Sequence, residues 1–173
     1  LDKTGTVQIY TGDGKGKTTA SIGAAVRAAG HGWKVFMIQF MKGRLYGEIA
    51  STAKIENIII EQHGRDEFVD PENPEQIDIE LALEGWKRAR EVVAAGDVDM
   101  LILDEINIAE NFGLIGLDEI LEFIMNKPPA LEIIMTGRRA HPMLIEAADT
   151  VTEMKEIKHH YASSVTARKG IEY

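Results

Sequence analysis

The chain has 173 residues and a mass of 19.2 kDa, so a single domain spanning residues 1–173 is expected. Its 45% hydrophobic and 27% charged residues are typical of globular chains and exclude disordered and fibrous classes. The absence of cysteine excludes disulfides, thiolate metal sites and cysteine nucleophiles. No apolar run approaches the ~18–20 residues of a membrane span, and Leu1-Asp-Lys-Thr4 lacks a signal-peptide layout. A soluble, cytoplasmic protein with no membrane partner is expected. The net charge of −9 is unevenly spread: residues 1–54 carry eight Lys/Arg against three Asp/Glu, and the remainder eleven against twenty-five. A pI near 5.1 speaks against nucleic acid as a partner but leaves the basic N-terminal part able to hold a small polyanion.

In chain order, Val7–Tyr10 predicts a strand, followed by a glycine-rich turn and a helix over Lys17–Ala29 that Gly30 and Gly32 end. Lys34–Phe40 predicts a second strand and Ile55–Glu61 a third. Asp70-Pro-Glu-Asn-Pro74 predicts a loop and Glu75–Ala95 a long acidic helix. Val98–Leu103, apolar after Asp99, predicts a fourth strand buried on both faces. A helix over Leu117–Met125 stopped by Pro128-Pro129, a strand over Leu131–Met135, a short helix over Met143–Ala148 and a strand over Val151–Met154 complete the pattern. Alternation of this kind predicts an α/β fold with a mostly parallel central sheet of about six strands.

Between the first strand and helix lies Thr11-Gly-Asp-Gly-Lys-Gly-Lys-Thr-Thr19. Glycines at 12, 14 and 16 let backbone N–H groups curl around an anion, and the helix start adds its positive end. Gly12, Asp13, Gly14, Lys15, Gly16, Lys17, Thr18 and Thr19 are therefore candidate phosphate-binding residues. In such a loop Lys17 reaches phosphate oxygens and the Thr18 hydroxyl sits on Mg2+. The usual spacing puts glycine six residues before the lysine; here that position is Thr11, so the loop is one residue short.

Met100-Leu-Ile-Leu-Asp-Glu105 is an apolar strand ending in two acids, which in a parallel sheet lie beside the phosphate turn. Asp104 and Glu105 are candidate magnesium ligands, direct or through water, with helix capping as the alternative. Gln39 and Lys42 follow a strand end where ligands gather. Arg138 and His141 follow another: one meets a phosphate or ribose, or the string simply starts a helix. Arg27, two to three turns into the first helix, either reaches the nucleotide or is solvated. His159-His160 reads as a surface pair. These motifs indicate nucleotide and magnesium without choosing a reaction.

Gln39-Phe-Met-Lys-Gly43, Gly47-Glu48, Thr136-Gly-Arg-Arg-Ala-His141, Ala148-Asp-Thr-Val-Thr-Glu-Met154, Lys158-His-His-Tyr161 and Gly170-Ile-Glu-Tyr173 follow in order. Together with the short phosphate loop, the set resembles the P-loop ATP:corrinoid adenosyltransferases, the cob(I)yrinic acid a,c-diamide adenosyltransferase family. The likeness runs from Thr11 to the C-terminus, and the short loop is itself a family feature. It implies a P-loop NTPase-like three-layer fold and a homodimer. It also implies a reaction in which a corrinoid reduced to Co(I) attacks the 5′ carbon of ATP and inorganic triphosphate leaves. Lys17, Thr18 and Glu105 are then the catalytic candidates, with Thr18, Glu105 and Asp104 on Mg2+. Phe68, Trp86 and Tyr161 become candidate contacts to the corrin ring, with half-buried packing the simpler reading for Trp86. Two departures stand out. The family's frequent N-terminal extension has no counterpart before Val7, and Gly64-Arg-Asp-Glu-Phe68 stands where some members carry Gly-Phe-Thr-Trp. With neither cysteine nor a flavin motif, electrons for cobalt come from outside, for instance from a flavoprotein. A P-loop kinase or ATPase, and a nucleotide-sensing module without turnover, are the alternatives.

Overall fold

The computed structural model describes residues 4–160 and 165–173. The candidate Tyr161 lies outside them. The elements are β1 (Val7–Thr11), α1 (Lys17–Gly30), β2 (Val35–Phe40), α2 (Gly47–Thr52), β3 (Ile58–His63), α3 (Gln76–Ala95) and β4 (Met100–Asp104). They continue with α4 (Ile106–Asn111), α5 (Leu117–Met125), β5 (Glu132–Thr136), α6 (Pro142–Ala147) and β6 (Thr150–Glu153).

The six strands form one sheet in the order β3-β2-β4-β5-β1-β6, and every pairing is parallel. The expected "mostly parallel" sheet is thus wholly so. Strands β2, β4 and β5 are buried at every residue, in keeping with their largely apolar sequences. On one face Ala25 and Ala28 of α1 pack against Val35, Met37, Met100, Ile102 and Ile134; small side chains let the helix approach closely. On the other, α3, α4, α5 and α6 cover Ile9, Phe36, Ile38, Leu101, Leu103 and Ile133. The result is the three-layer α/β fold of P-loop proteins.

Two expectations are corrected. β3 begins at Ile58 rather than Ile55, because Ile55 lies in a turn whose carbonyl accepts from the Ile58 N–H (3.1 Å). Two helices, α2 and α4, were not anticipated; each has six residues, too few to show a helical period. Among the described residues no helix is long and apolar enough to cross a membrane.

Parallel strands bring all their C-terminal ends to one sheet edge. The phosphate-type loop leaves β1 there, and the Asp104–Glu105 pair leaves β4. β5 runs between them.

Candidate active site

The loop after β1 leads into α1 through Gly16, whose φ of 117° only glycine adopts readily. A Cβ on Gly14 would lie 2.6 Å from the Met154 carbonyl oxygen, so this position also needs glycine. The Gly14 N–H donates to that same carbonyl (2.6 Å), and the Met154 N–H donates to Thr11 (2.8 Å). One expected anion-facing amide is therefore spent on pinning the loop to the exit of β6. The Lys17 ammonium arches back over the loop and donates to the carbonyls of Gly12 and Gly14, both at 2.7 Å. Burial lowers its pKa, against the opposing pull of Glu105. Asp13 and Lys15 are exposed on the same turn, and Thr19 is exposed in the first turn of α1.

Asp104 is fully buried and heavily bonded. Its Oδ1 accepts from the hydroxyls of Thr18 (2.9 Å) and Thr136 (2.6 Å). Its Oδ2 accepts from the Lys42 ammonium (2.6 Å) and the Gln39 amide (3.2 Å). Lys42 Nζ is also 3.3 Å from Thr18 Oγ1, so a cation already sits between the loop threonine and the β4 carboxylate. Burial pulls the Lys42 pKa down, but the charge and hydrogen bond of Asp104 outweigh it and leave the net shift upward. Gln39 is fully buried and its Oε1 accepts from Gln62 Nε2 (3.0 Å). It therefore braces Asp104, where sequence reasoning expected it to face a ligand.

Glu105 has φ 64° and caps α4; its N–H donates to Thr136 Oγ1 (3.0 Å). Burial, then the charge of Asp104, raises its pKa, against Lys42, Lys17 and Arg138. Among the described residues the other non-glycine residues with positive φ are Met41 and Arg139, which follow β2 and β5. All three backbone outliers lie on loops leaving the same sheet edge, where strain of about 1–3 kcal/mol each commonly marks a functional site.

Arg138 is exposed, with its charge felt at both Lys17 and Glu105. His141 instead takes the helix-starting alternative, its Nδ1 accepting from the Met143 N–H (3.2 Å) at the start of α6. Phe68, on the loop leaving β3 at this edge, is 98% exposed. Arg27 is not brought to the loop. α1 carries it to the opposite sheet edge, where it lines a separate cavity of about 320 Å³ with Gln8, Tyr10, Trp33 and Glu132. Trp86 is buried on α3, donating to Glu119 (3.1 Å) and standing edge-on to Phe123, as the packing reading expected. Sequence reasoning missed Thr136, Gln62 and Asn107. Thr136 and Gln62 are polar residues ending apolar strands, a signal as legible as that of Gln39. Asn107 is fully buried, its amide donating to the Gly137 carbonyl (3.1 Å) behind the acidic pair.

The oxygen donors Thr18, Asp104 and Glu105 suit a hard divalent cation, and the Lys42 ammonium against two of them shows that the spot accepts positive charge. No group of three His, Asp or Glu converges among the described residues, so these oxygens would supply only part of such a cation's shell, with water or phosphate oxygens as the usual remainder.

A glycine-rich loop opening a helix, its threonine bonded to a buried carboxylate two strands away, defines an α/β protein of the P-loop type. The fold agrees with that of a KaiC-like protein from Pyrococcus horikoshii, with a TM-score of 0.58 and 20% identity over 90% of this chain and 75% of that one. Residues 3–173 match the family ATP:corrinoid adenosyltransferase BtuR/CobO/CobP. A corrinoid adenosyltransferase of Pseudomonas aeruginosa is 38% identical over 99% of this chain and 85% of its own. One of Escherichia coli is 35% identical over 99% and 87%. The Salmonella typhimurium corrinoid adenosyltransferase CobA is 31% identical over the same shares. The chain belongs to the ATP:corrinoid adenosyltransferase family, and it is an enzyme, a transferase.

Proposed function

We propose that the protein transfers the adenosyl group of ATP to a reduced corrinoid. The Co(I) centre of the corrinoid substrate donates its electron pair to the 5′ carbon, the C5′–O bond breaks, and inorganic triphosphate carries the bonding pair away. Because Co(I) is itself a strong nucleophile, the protein's tasks are alignment and stabilisation of negative charge on the leaving triphosphate. The observation that carries the reading is the Thr18–Asp104–Lys42 cluster, which ties the phosphate loop to the β4 acids inside a chain of this family.

In this reading the backbone of Gly12, Asp13, Gly14 and Gly16 shapes the loop, Thr19 adds its N–H at the start of α1, and Lys17 exchanges two neutral carbonyls for charged phosphate oxygens, which are stronger acceptors. Lys15, Lys42 and Arg138 add positive charge around the leaving group. Thr18, Glu105 and Asp104 would hold Mg2+, which when bound neutralises charge on the phosphates. The loop grips the terminal phosphates and leaves the ribose end open to cobalt, with Phe68 available to the corrin. A cytoplasmic homodimer supplied with electrons by an external flavoprotein completes the reading.

Incubating protein, Mg-ATP and chemically reduced corrinoid tests it. The expected result is cobalt–carbon bond formation by absorbance, with triphosphate identified by chromatography. Lys17→Ala should cut turnover by orders of magnitude while leaving the fold intact. ADP or orthophosphate as the only product would show a kinase or ATPase instead.

A further inference from the structure

The last residues of the chain return to the phosphate loop. Lys15, between Gly14 and Gly16, donates from Nζ to Glu172 Oε1 at 2.8 Å and to the Ile171 carbonyl at 3.4 Å. Glu172 is the penultimate residue, yet its side chain is only 15% exposed. Arg168 holds it from the other side: Nη2 reaches Oε1 (3.1 Å), while the backbone N–H (2.7 Å) and Nε (3.3 Å) reach Oε2. His160 Nε2 lies 3.7 Å from the same carboxylate. A tight turn presents it, with the Arg168 carbonyl accepting from the N–H groups of Ile171 and Glu172, and the Gly170 N–H bonded to the Tyr173 carbonyl. Gly170 has φ 80°, which glycine tolerates. The carboxylate is thus fixed from several sides, whereas Lys15 belongs to a loop whose other anchor is Met154.

An ammonium has three N–H donors. With two directed at the tail, one remains for a phosphate oxygen. Lys15, Arg168 and Glu172 together carry a net positive charge, so the carboxylate orders the cations without cancelling them. We infer that the C-terminal segment 165–173 forms a wall of the phosphate site, in which Glu172 is a positioning residue that fixes Lys15 and brings Arg168 beside it. The inference rests on the phosphate loop binding the triphosphate end of ATP. A carboxylate acting instead as a plug would compete with phosphate, and the two roles have opposite signatures.

The test uses the full chain and inorganic tripolyphosphate as probe, titrated calorimetrically against wild type, Glu172→Gln, Glu172→Asp, Lys15→Met, Lys17→Ala and the double variant Lys15→Met/Glu172→Gln. Glu172→Gln should weaken tripolyphosphate binding about three- to fivefold, the scale of a partly exposed ion pair. It should raise KM for ATP by a similar factor, with a smaller effect on kcat. Glu172→Asp should recover part of the loss, and the double variant should bind no worse than Lys15→Met. Unchanged or tighter binding by Glu172→Gln, or losses that multiply in the double variant, overturns the inference. If that happens while Lys17→Ala still abolishes binding, the phosphate loop keeps its role and only the tail loses its own. If wild type fails to bind tripolyphosphate, both readings fall.

Discussion

Replacing Thr136 by valine probes the centre of the site without touching the phosphate loop. Thr136 ends β5, the strand between those that deliver the loop and the acids, and it is fully buried. Its hydroxyl donates to Asp104 Oδ1 at 2.6 Å and accepts the Glu105 N–H at 3.0 Å. Valine keeps the shape and deletes both bonds. A hydrogen bond to a buried carboxylate contributes about 1.5–3 kcal/mol, and leaving the Glu105 N–H unsatisfied costs about 1–3 kcal/mol before relaxation. Allowing for relaxation, about 2–4 kcal/mol is expected. For a chain of this length that lowers Tm by roughly 5–12 °C. Turnover should fall by roughly ten- to a hundredfold, because Glu105 is released from its positive-φ setting. Thr136→Ser, which retains the hydroxyl and loses one methyl, should cost only about 1 kcal/mol. Urea unfolding with calorimetry checks stability, and the cobalt–carbon assay checks turnover. A valine variant as stable as wild type, or a serine variant worse than the valine one, would refute this account of how the acids are held.

Other perturbations report on different parts of the molecule. Gly14→Ala places a Cβ against the Met154 carbonyl and should destabilise by about 1–3 kcal/mol, with phosphate binding hit harder than Tm. Gly23→Ala, in the middle of α1 with no atom within 4 Å of a new Cβ, should instead stabilise by about 0.5–1 kcal/mol in the same urea titration. The tail supplies a pH test. Hydrogen bonds from Arg168 and then Lys15 hold the Glu172 carboxyl well below its ordinary 4.5. A depressed folded-state pKa gives a stabilisation that is fully present above the ordinary value, declines as pH falls below it, and is gone below the depressed one. Hydrogen exchange of the C-terminal peptide, corrected for intrinsic rates, should show protection that is constant above about pH 5 and declines progressively below it; protection that stays constant down to about pH 3 would contradict the geometry.

Much of this protein is legible in its sequence. The central strands are written as largely apolar runs because both their faces are covered, and α5 spans Leu117–Met125 as its pattern and the following prolines predict. The phosphate loop is legible because its chemistry lies in consecutive residues: glycines that permit the turn, then Lys17 and Thr18 at a helix start. Short helices escaped, since six residues show no period. So did every relation that depends on which strands lie side by side. Nothing in the local sequence places β5 between β1 and β4, and that order alone puts Thr136 against Asp104. The pairing of β2 with β4 likewise sets Gln39 against Asp104 as a brace, while the length of α1 carries Arg27 away from the loop. The bond from Lys15 to Glu172 joins residues 157 positions apart. Local conformation is set by neighbours in the chain, so sequence reveals it; a site assembled from strand ends and a returning tail is set by packing, which only the folded structure decides.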